Sequence, residues 1–359
     1  MSTYSRETEG LALVHKFADQ VKGRTCKAHL PTSPNILPRL PILIYLVLLT
    51  GPSPGGIGAE TLISLAAESP AQLILVGRSR EKAQATIDAI KVVNASVATK
   101  FIEADLTSLA SVRKAAQSIL ADPEIPRIDV VINNAAVMAT PFELTPDGIE
   151  LQLAASHLGH FLLTNMILPK VLAAAAAGPG GARLVLLTSS GHRYSGVRFS
   201  DPNFAEPGSY TPYDAYGQAK SAVILYAVAL NRRLALRGAR GVRAYAVHPG
   251  SVQTNLQSHV MKLAPEELAT MMDEVSMRVM GMPLAETRRQ SPWLTLQQGC
   301  ATTLRAALDP DLVKQEGVYL QDCELTTDTK LVKEWATDPE LAEKLWTLSE
   351  ELVGEKFDI

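Results

Sequence analysis

The chain is short of cysteine, of net charge and of long apolar runs, and each shortage removes a class of protein. Only three cysteines occur, Cys26, Cys300 and Cys323. They are widely separated and match no metal-ligand spacing, so no metal is expected and they read as reduced thiols of an intracellular protein. Lys and Arg number 34 against 37 Asp and Glu, a net charge of -3. That balance gives no support for nucleic acid or an acidic membrane surface as partner. The one membrane-like run, Ile42 to Leu49, is eight residues long, whereas a bilayer needs about twenty. A buried strand is the better reading, and no membrane span is expected. The first 35 residues are polar with scattered charges and carry no visible secretory signal, which with the thiols implies a cytoplasmic location.

What the chain has in quantity is apolar side chain, 47% of 359 residues against 20% charged, enough for a sizeable core. Strands and helices alternate without a break. Strands are predicted at Ile42–Leu49, Ala71–Val76, Val97–Ala104, Ile128–Ile132, Ala182–Leu187 and Val242–Val247. Helices are predicted from Gly58 to about Ser69 and at Glu81–Val92, Ser108–Leu120, Leu151–Ala177 and Tyr216–Leu234. This βαβ spacing implies a parallel sheet covered on both faces. A last strand, Gly317–Leu320, and a helix, Pro339–Val353, close a single domain over 42–359. Residues 1–41 form an N-terminal extension.

In open α/β sheets ligands bind beyond the carboxyl ends of the strands. After the first strand comes Thr50-Gly-Pro-Ser-Pro-Gly-Gly-Ile-Gly58, with Gly51, Ser53, Gly56, Ile57 and Gly58 placed to cradle a pyrophosphate at a helix start. An ordinary structural turn is the bland alternative. The second strand ends at Arg78 with no acid beside it, which favours a 2′-phosphate and hence NADP(H) over NAD(H); an arginine exposed at a helix start is the alternative. Asp105 could accept from an adenine amino group or cap the next helix. Asn133, Asn134 and Ala135 can tie strand ends together beside a flat ring. Ser189 and Ser190 follow the fifth strand, and Pro249, Gly250, Val252 and Thr254 follow the sixth, placed to meet a nicotinamide.

Tyr216 and Lys220 stand four residues apart and share one helix face. A nearby cation lowers the pKa of a phenol, so Tyr216 could trade a proton near neutral pH, although a plain surface pair has the same spacing. The apolar stripe of this helix suits either a homo-oligomer contact or packing on the sheet. His157 and His160 read as packing or capping residues. Residues 255–300 are helical and methionine-rich (Met261, Met271, Met272, Met277, Met280, Met282), a substrate lid bearing Trp293 or plain helix packing.

These motifs resemble the short-chain dehydrogenase/reductase family, and within it the fungal retinol-dehydrogenase-like branch. The matching pieces are TGPSPGGIG, Gly77-Arg78, Asp105-Leu106, NNAA at 133–136, SHLGHFLLTN at 156–165, SSGHRY at 189–194, YGQAK at 216–220 and HPGSVQTNL at 248–256. The resemblance implies a Rossmann-type doubly wound α/β sheet of about seven strands and hydride transfer between NADP(H) and a small-molecule carbonyl or alcohol substrate. It makes Tyr216 the proton donor or acceptor. Lys220 lowers its pKa and holds the nicotinamide ribose, and Ser189 bonds the substrate oxygen, with Ser190 as fallback. An apolar substrate, in fungal secondary metabolism, is expected. The alternatives are a non-catalytic dinucleotide-binding sensor or scaffold, and a membrane-associated retinoid enzyme.

Three departures stand out. Ser156 replaces the family's usual Asn, Ala136 replaces a glycine, and the Gly-rich turn is one residue longer than the common pattern. A fourth is larger. Deleting the 21 residues Cys26–Leu46 restores the family's usual first strand, VKGRT-VLLTGPSPGGIG. The segment, with prolines at 31, 34, 38 and 41, is read as a translated retained intron.

Overall fold

A computed structural model describes residues 4–22, 45–178, 180–239 and 241–359. All five residues of β1 (Leu46–Thr50) are buried, as suits a strand covered by helices on both faces. Successive residues point to opposite faces, and the core divides accordingly. Leu46 and Leu48 enter one apolar cluster and Val47 and Leu49 the other. Each such side chain stabilises the fold by about 1.5–3 kcal/mol.

The sheet continues with β2 (Gln72–Gly77), β3 (Ala98–Glu103), β4 (Val130–Asn133), β5 (Ala182–Leu187), β6 (Val242–His248), β7 (Tyr319–Gln321) and β8 (Glu324–Thr326). The order is β3-β2-β1-β4-β5-β6-β7-β8, parallel except for the last pair. Eight strands therefore stand where about seven are expected. The addition arises because Asp322 and Cys323 take left-handed φ values of 51° and 61°, which turns the chain back on β7. Strand order reverses between β1 and β4, and that reversal opens a crevice at their carboxyl ends.

The flanking helices are α1 (Gly10–Lys16), α2 (Ile57–Ala66), α3 (Arg80–Val93), α4 (Leu109–Ala121), α5 (Gly159–Ala177), α6 (Pro212–Leu236), α7 (Pro265–Met280), α8 (Leu284–Gln290), α9 (Leu296–Leu308) and α10 (Pro339–Val353). The stretch Leu151–Ala177 is long and apolar enough to cross a membrane, but it is a core helix here, packed against α4. A π-helical turn, Ala154–Leu158, interrupts it. The stripe on α6 packs within the chain, against α10 and the sheet, and so carries no claim about a second copy.

The described part of the N-terminal extension, residues 4–22, packs on the domain. Its Leu13, Val14 and Val21 lie in the same apolar cluster as α9. The proposed insert lies outside the described residues except for Tyr45 and Leu46; Leu46 opens β1 and pairs with Gln72. The expected boundary between 41 and 42 also lies outside them.

Candidate active site

Loops from the carboxyl ends of β1 to β6 line one cleft of about 560 Å³, within the usual range for a small-molecule site. At its base Gly51 adopts φ +73°, and a Cβ there would stand 2.9 Å from the Ala135 backbone. Asn134 holds this approach by donating from Nδ2 to the carbonyls of Thr50 (2.9 Å) and Gly51 (3.0 Å). Thr50 Oγ1 accepts from the amides of Asn134 and Ala135, both at 3.0 Å. Its one proton therefore goes to His160 Nε2, 2.8 Å away. His160 must then carry its proton on Nδ1, which donates to the Ser156 carbonyl at 3.1 Å. Burial accordingly lowers the His160 pKa to about 4. His160 thus ties the π-turn to the turn after β1, a link across 110 residues that packing alone does not describe.

Gly56, the residue before α2, provides no side-chain cap, so the first amides of that helix are left for a ligand in the cleft. At the end of β2, Arg78 and Lys82 both line the cleft, and neither has an ion pair among the described residues. Lys82 went unnoticed in the sequence, although its signal, a second cation four residues on, was there. Asp105 lines the cleft with Oδ1 engaged by the amide and hydroxyl of Thr107; the cap of α4 is Ser108.

The fifth strand delivers Thr188, whose hydroxyl donates to the Lys220 carbonyl at 2.8 Å and pins the strand end to α6. Ser189 follows. Its Oγ accepts from Gly191 N at 3.0 Å, and it lies beside the Tyr216 phenol, whose pKa it draws down. A Cβ on Gly191 would meet the Tyr216 ring at 2.7 Å, so only glycine allows this approach. Ser190 turns its amide to His248 Nδ1 at 3.3 Å. Lys220 Nζ donates to the Leu187 carbonyl at 3.0 Å and lies 5.6 Å from the Tyr216 ring centre. Burial pushes the phenol up to about 12 and Lys220 down to about 7. Desolvation dominates the phenol and Ser189 opposes it, while burial weakens the charge on Lys220 that would lower the phenol further.

The predicted residues Gly51, Ser53, Gly56, Ile57, Gly58, Arg78, Asp105, Asn134, Ala135, Ser189, Tyr216, Lys220, Pro249, Gly250, Val252 and Thr254 all line this cleft. Asn133 does not. Its side chain points away and donates to Thr164 Oγ1 at 2.8 Å, which corrects its expected place among cofactor contacts. Ser156 also stays out of the cleft, with its hydroxyl buried and unpartnered among the described residues.

From the region where a lid is expected, Met272, Val275 and Val279 join Met138, Tyr194 and Tyr213 in an apolar wall of the cleft. Tyr213 donates to Met272 Sδ at 3.3 Å, and Arg278 pairs with Asp214 at 3.1 Å. The last residues of the expected lid, 296–300, instead begin α9 in the core.

The short chain dehydrogenase family profile matches residues 45–200. The chain is 35% identical over 309 residues to the short-chain dehydrogenase TIC 32 A, chloroplastic, of Brassica napus, covering 85% of this chain and 88% of that one. Identity to the short-chain dehydrogenase/reductase prx1 of Penicillium roqueforti is 34%, over 84% and 83% of the two chains. Human retinol dehydrogenase 13 is 32% identical, over 86% and 84%. Among solved structures, an uncharacterized protein from Mycobacterium paratuberculosis superposes with a TM-score of 0.62 at 28% identity, covering 88% and 95%. Levodione reductase shares the fold, with a TM-score of 0.55 at 22% identity over 78% and 96%. The chain belongs to the short-chain dehydrogenase/reductase family, oxidoreductases that act on CH–OH or C=O groups with a nicotinamide dinucleotide.

Proposed function

We propose that the chain is an NADP(H)-dependent carbonyl reductase or alcohol dehydrogenase for an apolar small molecule. One observation carries this reading. The Ser189 hydroxyl, the Tyr216 phenol and Lys220 share a cleft whose rim bears two cations, Arg78 and Lys82, without carboxylate partners among the described residues. A bound nicotinamide dinucleotide supplies or accepts the hydride, which no side chain here can do. The donor set suits it. The uncapped start of α2 and the Gly51–Gly58 turn would hold the diphosphate, and Arg78 with Lys82 a 2′-phosphate. Asp105 would take the adenine amino group and Lys220 the nicotinamide ribose. Asn134, Ala135, Pro249, Gly250, Val252 and Thr254 would surround the nicotinamide.

Ser189 Oγ accepts from Gly191 N, and its one proton, which faces the Tyr216 phenol, would turn to a substrate oxygen placed between the two groups. Tyr216 gives a proton to that oxygen in reduction and takes it back in oxidation. The two groups meet the negative charge where it develops. Lys220 would hold the ribose of a bound cofactor, and a hydroxyl there would help keep its ammonium charged and so draw the phenol down toward working pH. The apolar wall of the lid supports an apolar substrate, and its methionines an adaptable one.

A fungal setting is supported by the similarity to the Penicillium protein, a cytoplasmic one by the free thiols of Cys300 and Cys323, and no observation bears on secondary metabolism. No observation favours a non-catalytic sensor. The test is NADPH oxidation against a panel of apolar ketones and aldehydes. Turnover by wild type that is lost in Tyr216→Phe is expected. Equal turnover by the two proteins sinks the assignment.

A further inference from the structure

We propose that Arg288 is an anion-binding residue of the substrate pocket, so that the substrate is an apolar carbonyl or alcohol compound bearing a carboxylate or phosphate at its far end. This rests on the reading of the cleft as an oxidoreductase site. Arg288, on α8, lines the cleft, and its guanidinium stacks on the Trp293 ring at 3.6 Å. Among the described residues it makes no hydrogen bond and no ion pair. The other lid arginines are committed: Arg278 pairs with Asp214, and Arg289 with Glu286. Burial lowers the Arg288 pKa, with no anion nearby to oppose it.

The stack is well anchored. Leu294, next to Trp293, donates its amide to Ser251 O at 2.8 Å and bridges to Val252, which fixes it to the turn after β6. Thr287, next to Arg288, bonds Ser276 Oγ at 2.6 Å and fastens α8 to α7 beside Val275 and Val279. Stacking fixes the guanidinium plane and leaves its edge N–H groups free, the arrangement that receives a two-oxygen anion side-on. An oxyanion is therefore the chemistry selected. The cofactor's diphosphate also carries it. We assign it to the substrate because Arg288 belongs to the lid and adjoins the apolar wall, whereas the amides suited to a diphosphate open α2, on the turn after β1.

Calorimetry on the full chain tests this, with NADP+ titrated first and then decanoate or methyl decanoate added to the NADP+-saturated protein. Decanoate should bind wild type about tenfold more tightly than its ester. Arg288→Gln should erase that preference, Arg288→Lys should keep part of it, and NADP+ affinity should be equal in all three. No acid preference in wild type, or a preference that survives Arg288→Gln, overturns the proposal. So does a comparable loss of NADP+ affinity in Arg288→Gln, which would give the anion to the cofactor. Wild type that fails to bind NADP+ overturns the oxidoreductase reading itself; normal NADP+ binding without acid preference overturns only the role of Arg288.

Discussion

At the carboxyl ends of β1 and β4, Thr50, Asn134, Ala135, His160 and Ser156 are joined by hydrogen bonds of 2.8–3.1 Å. The lid is built differently. Its helix α7 has one buried residue, Ser276, and α8 has none, and its polar ties to α6 among the described residues are the Arg278–Asp214 pair and the Tyr213–Met272 contact. One half of the cleft is thus fixed by a network of hydrogen-bonded buried polar groups, expensive to disturb. The other is held by exchangeable surface contacts and adaptable apolar side chains.

Acid should have the largest effect, and it reaches the fixed half through His160. His157, His160, His192 and His248 are buried with pKa values lowered to about 3, 4, 4 and 3. A lowered histidine contributes stability that is lost as pH falls below its unfolded value of 6.5. At pH 5 that loss is about 2 kcal/mol for each. Glu150, raised to about 7 by burial, works in the opposite sense, gaining as pH falls from 7 toward 4.5, by about 2 kcal/mol at pH 5. The four histidines outweigh Glu150, so stability should fall as pH drops from 7 to 5. Thermal melts between pH 7 and pH 5 should fall steeply; an unchanged melting temperature contradicts the assigned neutral histidines.

Chemistry is the next largest effect. Tyr216→Phe should lower turnover about 1,000-fold while leaving the melting temperature near that of wild type, since the ring remains. His160→Leu should strand the Thr50 hydroxyl and the Ser156 carbonyl and destabilise the protein by about 2–4 kcal/mol, with weakened NADPH binding, as read by denaturant titration and fluorescence. Arg78→Ala should weaken NADPH about tenfold or more and leave NADH nearly unchanged. Equal effects on both cofactors would remove the 2′-phosphate assignment. Smallest is Arg278→Ala. Its ion pair is half exposed, so stability should change by less than about 1 kcal/mol, while KM for substrate shifts more than kcat. A large loss of stability there would end the distinction between frame and lid.

The frame was the more legible half. β5 and α10 appear with the bounds read from sequence, because a short apolar run and an amphipathic helix are unambiguous periodic signals. The ordered glycines, Ser189, Tyr216 and Lys220 marked the cleft because they sit at strand and helix ends. Direction was harder. Asn133 and Asn134 are neighbours on opposite faces, and nothing in NNAA says which one reaches the ligand. The His160 link spans 110 residues, and the high phenol pKa of Tyr216 is a matter of burial; neither is written locally. On the lid, the methionines were visible as composition only, and the Arg288–Trp293 stack depends on how α8 packs.

The most direct test measures NADPH binding and carbonyl reduction side by side in wild type and Tyr216→Phe. The account predicts that both proteins bind NADPH, with affinities within a few-fold, and that only wild type turns over at an appreciable rate. Wild type that binds no NADPH, or a Tyr216→Phe protein that reduces substrate at the wild-type rate, would contradict it.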